Sequence, residues 1–295
     1  MPSPGLLSCA VGHRFDIHDG VSHLLPVSID SLTAEEGRYH DSQKHEWAEL
    51  NQIHTVRNLY FHRSVLKFIS EKSGGNVLEL GGGIGFDLDL FLKMRPSFNN
   101  YVFSEVSDNL VAFVARNIKC EGVMYCTIEA RHIPFADGQF DCVYMMAALH
   151  HMPDAPAALR EMTRVTKSGG MICCGMEPNR GWLQLLAKNR WLVRSVIAQR
   201  NHSPADEEAT GFCIRDFKTL GEACDLKLMQ VKPVWLLCGF AHYGFELLYR
   251  LFRLKSRITL PVGVETVLVF FDNVLLRIPG LKHVCWHYSV VYQKR

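Results

Sequence analysis

The run Asn76-Val77-Leu78-Glu79-Leu80-Gly81-Gly82-Gly83-Ile84-Gly85-Phe86-Asp87 constrains this chain more than any other stretch. Val77, Leu78 and Leu80 make a short apolar segment cut off by glycines, which predicts a buried parallel strand running into a tight turn. Ile84, Leu88, Leu90 and Phe91 recur at roughly helical spacing, so a helix follows the turn. A glycine turn between strand and helix lets a ligand reach backbone that a side chain would otherwise cover, and the helix N-terminus offers free N–H donors. The segment therefore predicts a cofactor cradle.

The identity of the cofactor is constrained by what surrounds the glycines. The dinucleotide fingerprint needs a glycine five places after Gly81, where Phe86 stands, so that reading fails. Glu79 stands one turn ahead of the glycines. A second acid, Glu105, ends the next apolar strand (Tyr101, Val102, Phe103), at the place where a Rossmann-like unit binds ribose hydroxyls. Glu79 suits a cationic or amino group lying near the turn. An amino acid joined to a nucleoside satisfies both acids, and S-adenosylmethionine is such a molecule.

The segment from about 60 to 180 resembles a class I S-adenosylmethionine-dependent methyltransferase, of the broad group that includes ubiquinone/menaquinone C-methyltransferases and many natural-product and glycan methyltransferases. The resemblance rests on Glu79–Gly85 and Glu105, followed in order by Glu129-Ala130 ahead of Ile133-Pro134-Phe135, then Phe140-Asp141, Leu149-His150-His151, and Leu159-Arg160-Glu161 with Arg164-Val165 and Gly169-Gly170. It implies a Rossmann-like doubly wound α/β sheet ending in an antiparallel strand pair. It also implies cofactor contacts at Glu79, Gly81, Gly82, Gly83, Gly85, Glu105, Val106, Glu129, Ala130 and Met146.

Strands are expected near 76–80, 101–105, 123–127, 140–146 and 170–176, with helices near 84–94, 107–118 and 154–166. Asp154, Pro156 and Gly169-Gly170 give the last helix its start and stop signals. Four regions follow: a cap over 1–32, a helical lid over 33–72, the cofactor-binding core over 73–180, and substrate-side helices with the final strands over 181–295. In the cap, Cys9 and His13 resemble the remains of a zinc ribbon, but a structural zinc site needs four ligands. The expectation is a β-hairpin cap and no metal. In the lid, Arg38-Tyr39-His40-Asp41 reads equally as part of a segment folded over the cofactor or as solvated turn residues.

The stretch 180–200 interleaves Arg180, Lys188, Arg190, Arg194 and Arg200 with Trp182, Leu186, Trp191 and Val196, and carries no acid. It reads as an ordinary amphipathic helix, as a lining of the substrate site, or as a contact with an anionic membrane surface. The tail from 233 to 282 is apolar and aromatic. Glu246, Arg250, Arg253 and Arg257 are expected on one helical face, and Glu265 and Asp272 lie two turns apart in an otherwise apolar run. These are expected as helices inserted before a final strand over 284–292.

The formal charge of +2 gives no general footprint for nucleic acid. An Asn/Asp-Pro-Pro-Tyr motif for holding a flipped base is also absent after the strand 140–146, so nucleic-acid methylation is not expected. Ten cysteines without a C-x-x-C pair fit a reduced, cytoplasmic setting, with peripheral membrane contact as the one addition. No secretory signal or transmembrane helix is expected.

Methyl transfer from a sulfonium is an in-line displacement in which the cofactor supplies the activated carbon. The chain must align an acceptor and, for a hydroxyl or acidic carbon, take its proton. His151, His150 and Glu177 are the candidate bases, all at the carboxyl edge of the sheet. The acceptor is expected to be a small, lipid-linked or glycan-linked molecule methylated at oxygen. Alternatives are carbon or nitrogen methylation of a quinone- or polyketide-like molecule, or a cofactor-binding partner protein without turnover.

Overall fold

The computed structural model describes residues 5–8, 14–52, 56–72, 75–188 and 211–295. Strands β1 (Gly5–Ser8), β2 (Arg14–His18), β3 (Val21–His23), β4 (Asn76–Glu79), β5 (Asn100–Glu105), β6 (Val123–Thr127), β7 (Phe140–Met146), β8 (Thr166–Pro178), β9 (Leu226–Val234) and β10 (His287–Lys294) build one sheet. Its order is β1-β2-β3-β6-β5-β4-β7-β8-β10-β9. Neighbours from β3 to β8 are parallel, and β10 runs antiparallel between β8 and β9. This is the doubly wound sheet with a final antiparallel pair. The chain extends one way from β4 to β5 and β6 and later the other way to β7 and β8, so the order reverses between β4 and β7. The crevice at the carboxyl ends beside such a reversal is where these sheets bind ligands.

Successive residues of a strand point to opposite faces, and here both faces are covered. Leu78, Val102, Cys126 and Val143 face helices α5 (Ala155–Val165) and α7 (Ile214–Ala223). Val77, Tyr101, Cys142 and Tyr144 face α2 (Val56–Lys72), α3 (Phe86–Lys93) and α4 (Asp108–Asn117). Burial on both faces explains why these strands read as continuous apolar runs. The strand cysteines serve as small hydrophobes, and burial pushes the Cys126 thiol up to about 12. Asp154 caps α5 by accepting the Ala157 N–H at 2.9 Å.

The N-terminal strands form a hairpin that joins the main sheet. β1 and β2 lead into β3, which pairs in parallel with β6 and extends the sheet. The edge of β6 would otherwise present unpaired backbone groups to water. Val21 and Leu24 are buried beside it, and the Leu24 N–H reaches both the Thr127 carbonyl (3.1 Å) and its hydroxyl (3.2 Å). Cys9 and His13, the remnants of the ribbon-like pattern, lie outside the described residues, as do 189–210 of the basic stretch and polar gap.

Helix α1 (Ser31–Gln52) precedes the core, and α6 (Arg180–Lys188) follows β8. Between β9 and β10 the chain inserts α8 (Leu237–Leu251) and α9 (Val262–Leu275). The expected four-residue face does not form as one helix, because α8 ends at Leu251 and Arg253 takes a φ of 48°. Arg257 instead folds back to Glu246 at 3.2 Å, beside the Arg250–Glu246 pair.

Candidate active site

The turn after β4 is shaped by its glycines at close quarters. Gly81, Gly83 and Gly85 take φ of 64°, 53° and 79°, a region that penalises any side chain. A Cβ on Gly82 would fall 2.2 Å from the Phe103 ring, so the turn packs directly on β5. A Cβ on Gly83 would meet no protein atom within 4 Å, because Gly83 borders the cavity. Glu105, at the end of β5, accepts the Gly83 N–H at 3.1 Å and the Val106 N–H at 2.7 Å. That fixes a carboxylate at the rim of the turn, where a ribose would need an acceptor.

Gly81, Gly82, Gly83, Glu105, Val106, Glu129, Ala130 and Met146 all line this cavity. Gly85 stands behind it as the N-cap of α3, where a Cβ would press on Val114. Glu79 does not line it. Its carboxyl is buried beneath the turn, accepting from Tyr101, whose hydroxyl also contacts that of Tyr144. Burial, with a contribution from Asp87, pushes the Glu79 carboxyl up to about 8. Asp87, in the first turn of α3 and 2.7 Å from His62 Nδ1 on α2, does line the cavity. Sequence reasoning missed both. An acid two places past the last glycine was the available signal for Asp87, while His62 carried none.

On the other side of the reversal, Met146 ends β7 and Ala147 takes a φ of 51°, a strained value for a residue with a side chain. The chain then turns through the short helical turn Leu149–His151. Glu177, fully buried at the end of β8, accepts the N–H groups of Ala148 (3.3 Å), Leu149 (3.0 Å) and His150 (3.1 Å). The His150 ring adds a fourth contact at 2.9 Å. Glu177 and His150 are therefore spent on holding the turn, and neither lines the cavity. Of the three candidate bases only His151 does.

The first turns of helix α1 line the cavity and are tied down on both sides of it. Asp30 receives the Thr33 N–H as a cap and the Arg131 guanidinium from the loop after β6. Asp41 accepts from Ser107 and from Asn109 (2.8 Å) at the start of α4. Between these ties the buried Glu36 reaches the site, its Oε1 lying 3.0 Å from His40 Nε2 and 3.1 Å from His151 Nδ1. Of the Arg38–Asp41 cluster, His40 and Asp41 face inward to these partners. Nothing in the sequence links Glu36 to His151, which stand 115 residues apart. Glu129 has its carboxylate occupied by Arg131 (2.8 Å) and His132 (2.6 Å), so that carboxylate shapes the loop beside Ala130.

A glycine turn open to a cavity, an acid at the next strand end and an apolar wall of Leu110, Ile128 and Ala130 suit a nucleoside joined to a charged amino acid. Residues 78–174 match the methyltransferase domain family model. A ubiquinone/menaquinone biosynthesis C-methyltransferase, UbiE, from Serratia proteamaculans is 27% identical over 133 residues, covering 42% of this chain and 53% of that protein. The chain thus spans about half the length of this curated relative. Among solved structures, a geranyl diphosphate methyltransferase in complex with S-adenosylmethionine aligns with a TM-score of 0.51 at 12% identity, over 79% of this chain and 85% of that one. The cyclase SpnF aligns with the same TM-score at 18% identity, over 78% and 80%. At these identities the structures speak for the fold alone, and a fold does not name a reaction.

Proposed function

We propose that this chain, which carries a class I S-adenosylmethionine-dependent methyltransferase domain, transfers the cofactor's methyl group to an oxygen of an apolar, lipid-borne acceptor, with His151 as the general base. The observation that carries the proposal is the meeting of His151, from the sheet edge, with Glu36 and His40, from the helix that lines the same cavity. S-adenosylmethionine, when bound, supplies a methyl group already activated on a sulfonium. The glycine turn and Glu105 would hold the nucleoside part of the cofactor, and Asp87, steadied by His62, would offer a carboxylate to its cationic part. The Glu36 carboxylate, 3.1 Å from His151 Nδ1, would favour the imidazolium that forms when His151 takes the proton of an incoming hydroxyl. Helix α1 meanwhile lines the cavity with Thr33, Glu36 and His40. The apolar α8–α9 insertion supports a greasy acceptor, since α9 packs on α2, the helix that brings His62 to the site.

Isothermal titration with S-adenosylmethionine and S-adenosylhomocysteine tests the cofactor, with micromolar binding expected. Turnover on lipid-linked phenols, with the new methyl located by NMR, tests the acceptor atom. Methyl on ring carbon would replace this reading with one like that of the UbiE relative. His151→Ala should lower kcat by roughly 10²–10⁴-fold while cofactor affinity stays unchanged. Full turnover in that variant would remove His151 from the chemistry.

One observation favours a second reading. Ligand atoms of Glu36, His40 and His151 lie within 4.8 Å of one another. Two imidazoles and a carboxylate also suit a divalent transition-metal ion, which would lower the pKa of an acceptor hydroxyl. Cobalt titration separates the two: a d–d absorption band lost in His40→Ala supports the ion, and no band supports the base alone.

A further inference from the structure

We infer that α8 and α9 form a docking face that seats this protein on an anionic lipid bilayer without crossing it. The inference deepens the reading of a lipid-borne acceptor, but a separate observation carries it. A helix at a water boundary turns its charges outward and its rings inward. Helix α9 does the reverse: Glu265 and Asp272 are 1% and 0% exposed, while Val262 and Phe270 are 71% and 62% exposed.

Each inward acid has partners that make its burial tolerable. Glu265 pairs with Arg57 and accepts its N–H at 3.2 Å. Asp272 accepts the Leu236, Leu237 and Cys238 N–H groups at the start of α8. The remaining polar side chains of α9 are turned back on their own helix, with Thr266 donating to the Val262 carbonyl (2.8 Å) and Asn273 to that of Val269 (2.8 Å). What α9 shows outward is therefore apolar. Leu251 and Phe252, at the end of α8, and Val267 and Phe271 on α9 are exposed as well.

Charge selects the occupant. From 237 to 284 the acids are Glu246, Glu265 and Asp272, none of them exposed, and Glu246 is held by Arg250 and Arg257. The exposed charges of this lobe are Arg253, Lys255, Arg277 and Lys282, every one a cation. An apolar surface rimmed by cations matches acyl chains beneath anionic headgroups. A two-fold pairing with a second copy would bring the cationic rims together. Spanning is ruled out for these helices by length: the 14 residues of α9 cover about 21 Å against a hydrocarbon core of about 30 Å, and among the described residues no helix is long and apolar enough to cross.

Flotation of the full chain with phosphatidylcholine vesicles, with and without phosphatidylglycerol, tests the inference. Co-flotation with the anionic vesicles is expected. Combined Phe270→Ser and Phe271→Ser should weaken it by about tenfold or more. Combined Arg253→Glu and Arg277→Glu should abolish the preference for anionic lipid. All four side chains are exposed, so S-adenosylmethionine titration of the same variants should match the parent. Failure of the parent to float at low salt would overturn the inference, as would light scattering that shows a dimer dissociated by the Phe270→Ser/Phe271→Ser change. A chain that floats without binding cofactor keeps the docking face and loses the enzyme reading. One that binds cofactor without floating does the opposite.

Discussion

Gly83 is the position where a single side chain separates cradle from scaffold. Its neighbour Gly82 already abuts Phe103, whereas a Cβ at 83 would occupy space that only a ligand can use. Gly83→Val should therefore abolish cofactor binding, both by filling that space and by straining the turn at a φ of 53°, read by titration beside circular dichroism. Glu105→Ala should weaken that binding by about 1–3 kcal/mol, the range for hydrogen bonds to a charged group. Glu79 gives a different signature. Its folded pKa of about 8 lies above the ordinary 4.5, so the folded state holds a proton that the unfolded state has released between those values. Its contribution to stability is full below about pH 4.5 and falls as pH rises through 8. Glu79→Gln removes that loss, so the melting temperature of the variant should gain on the parent from pH 5 to pH 9. At this scale the sequence revealed which residue types surround the cofactor, but not which way they point. Glu79 and Glu105 both end strands, and only register and packing decide that one faces the tyrosines and the other the rim.

The turn Leu149–His151 shows how an element can be built from one distant side chain. Three backbone N–H groups and an imidazole converge on Glu177. Glu177→Ala would leave those donors buried without partners, at about 1–3 kcal/mol for each group that stays dry. Urea unfolding should show a loss of several kcal/mol in total, a scale typical of a broken buried network. A residue acting only as a proton acceptor would leave stability unchanged. The sequence placed Glu177 and His150 near the chemistry because both follow strands at the right edge. It could not reveal that they face each other, since that contact depends on β7 and β8 lying in parallel. Helix boundaries were more legible, because Asp154 and Pro156 act locally on the turn beside them. The inversion of α9 was half legible: two acids in an apolar run were visible, and their inward direction was set by Arg57 and by the start of α8.

Across the whole molecule, the doubly wound class was readable from the alternation of apolar runs and helices, and the reversal at β4 places the glycine turn at its crevice. That the N-terminal strands join the main sheet was not legible, because parallel pairing with β6 leaves no trace in a short run such as Val21-Ser22-His23. The α8–α9 lobe was expected between the last two strands, and it enters and leaves the sheet at one point. Val234 and His287, on either side of it, are register partners, and the Trp286 N–H meets the Trp235 carbonyl at 2.7 Å. Such an arrangement works as a cartridge. The lobe could lengthen, shrink or be exchanged during evolution while the strands that carry it stay paired. Acceptor choice and membrane address can then change in one insertion, leaving the cofactor cradle some 150 residues earlier in the chain untouched.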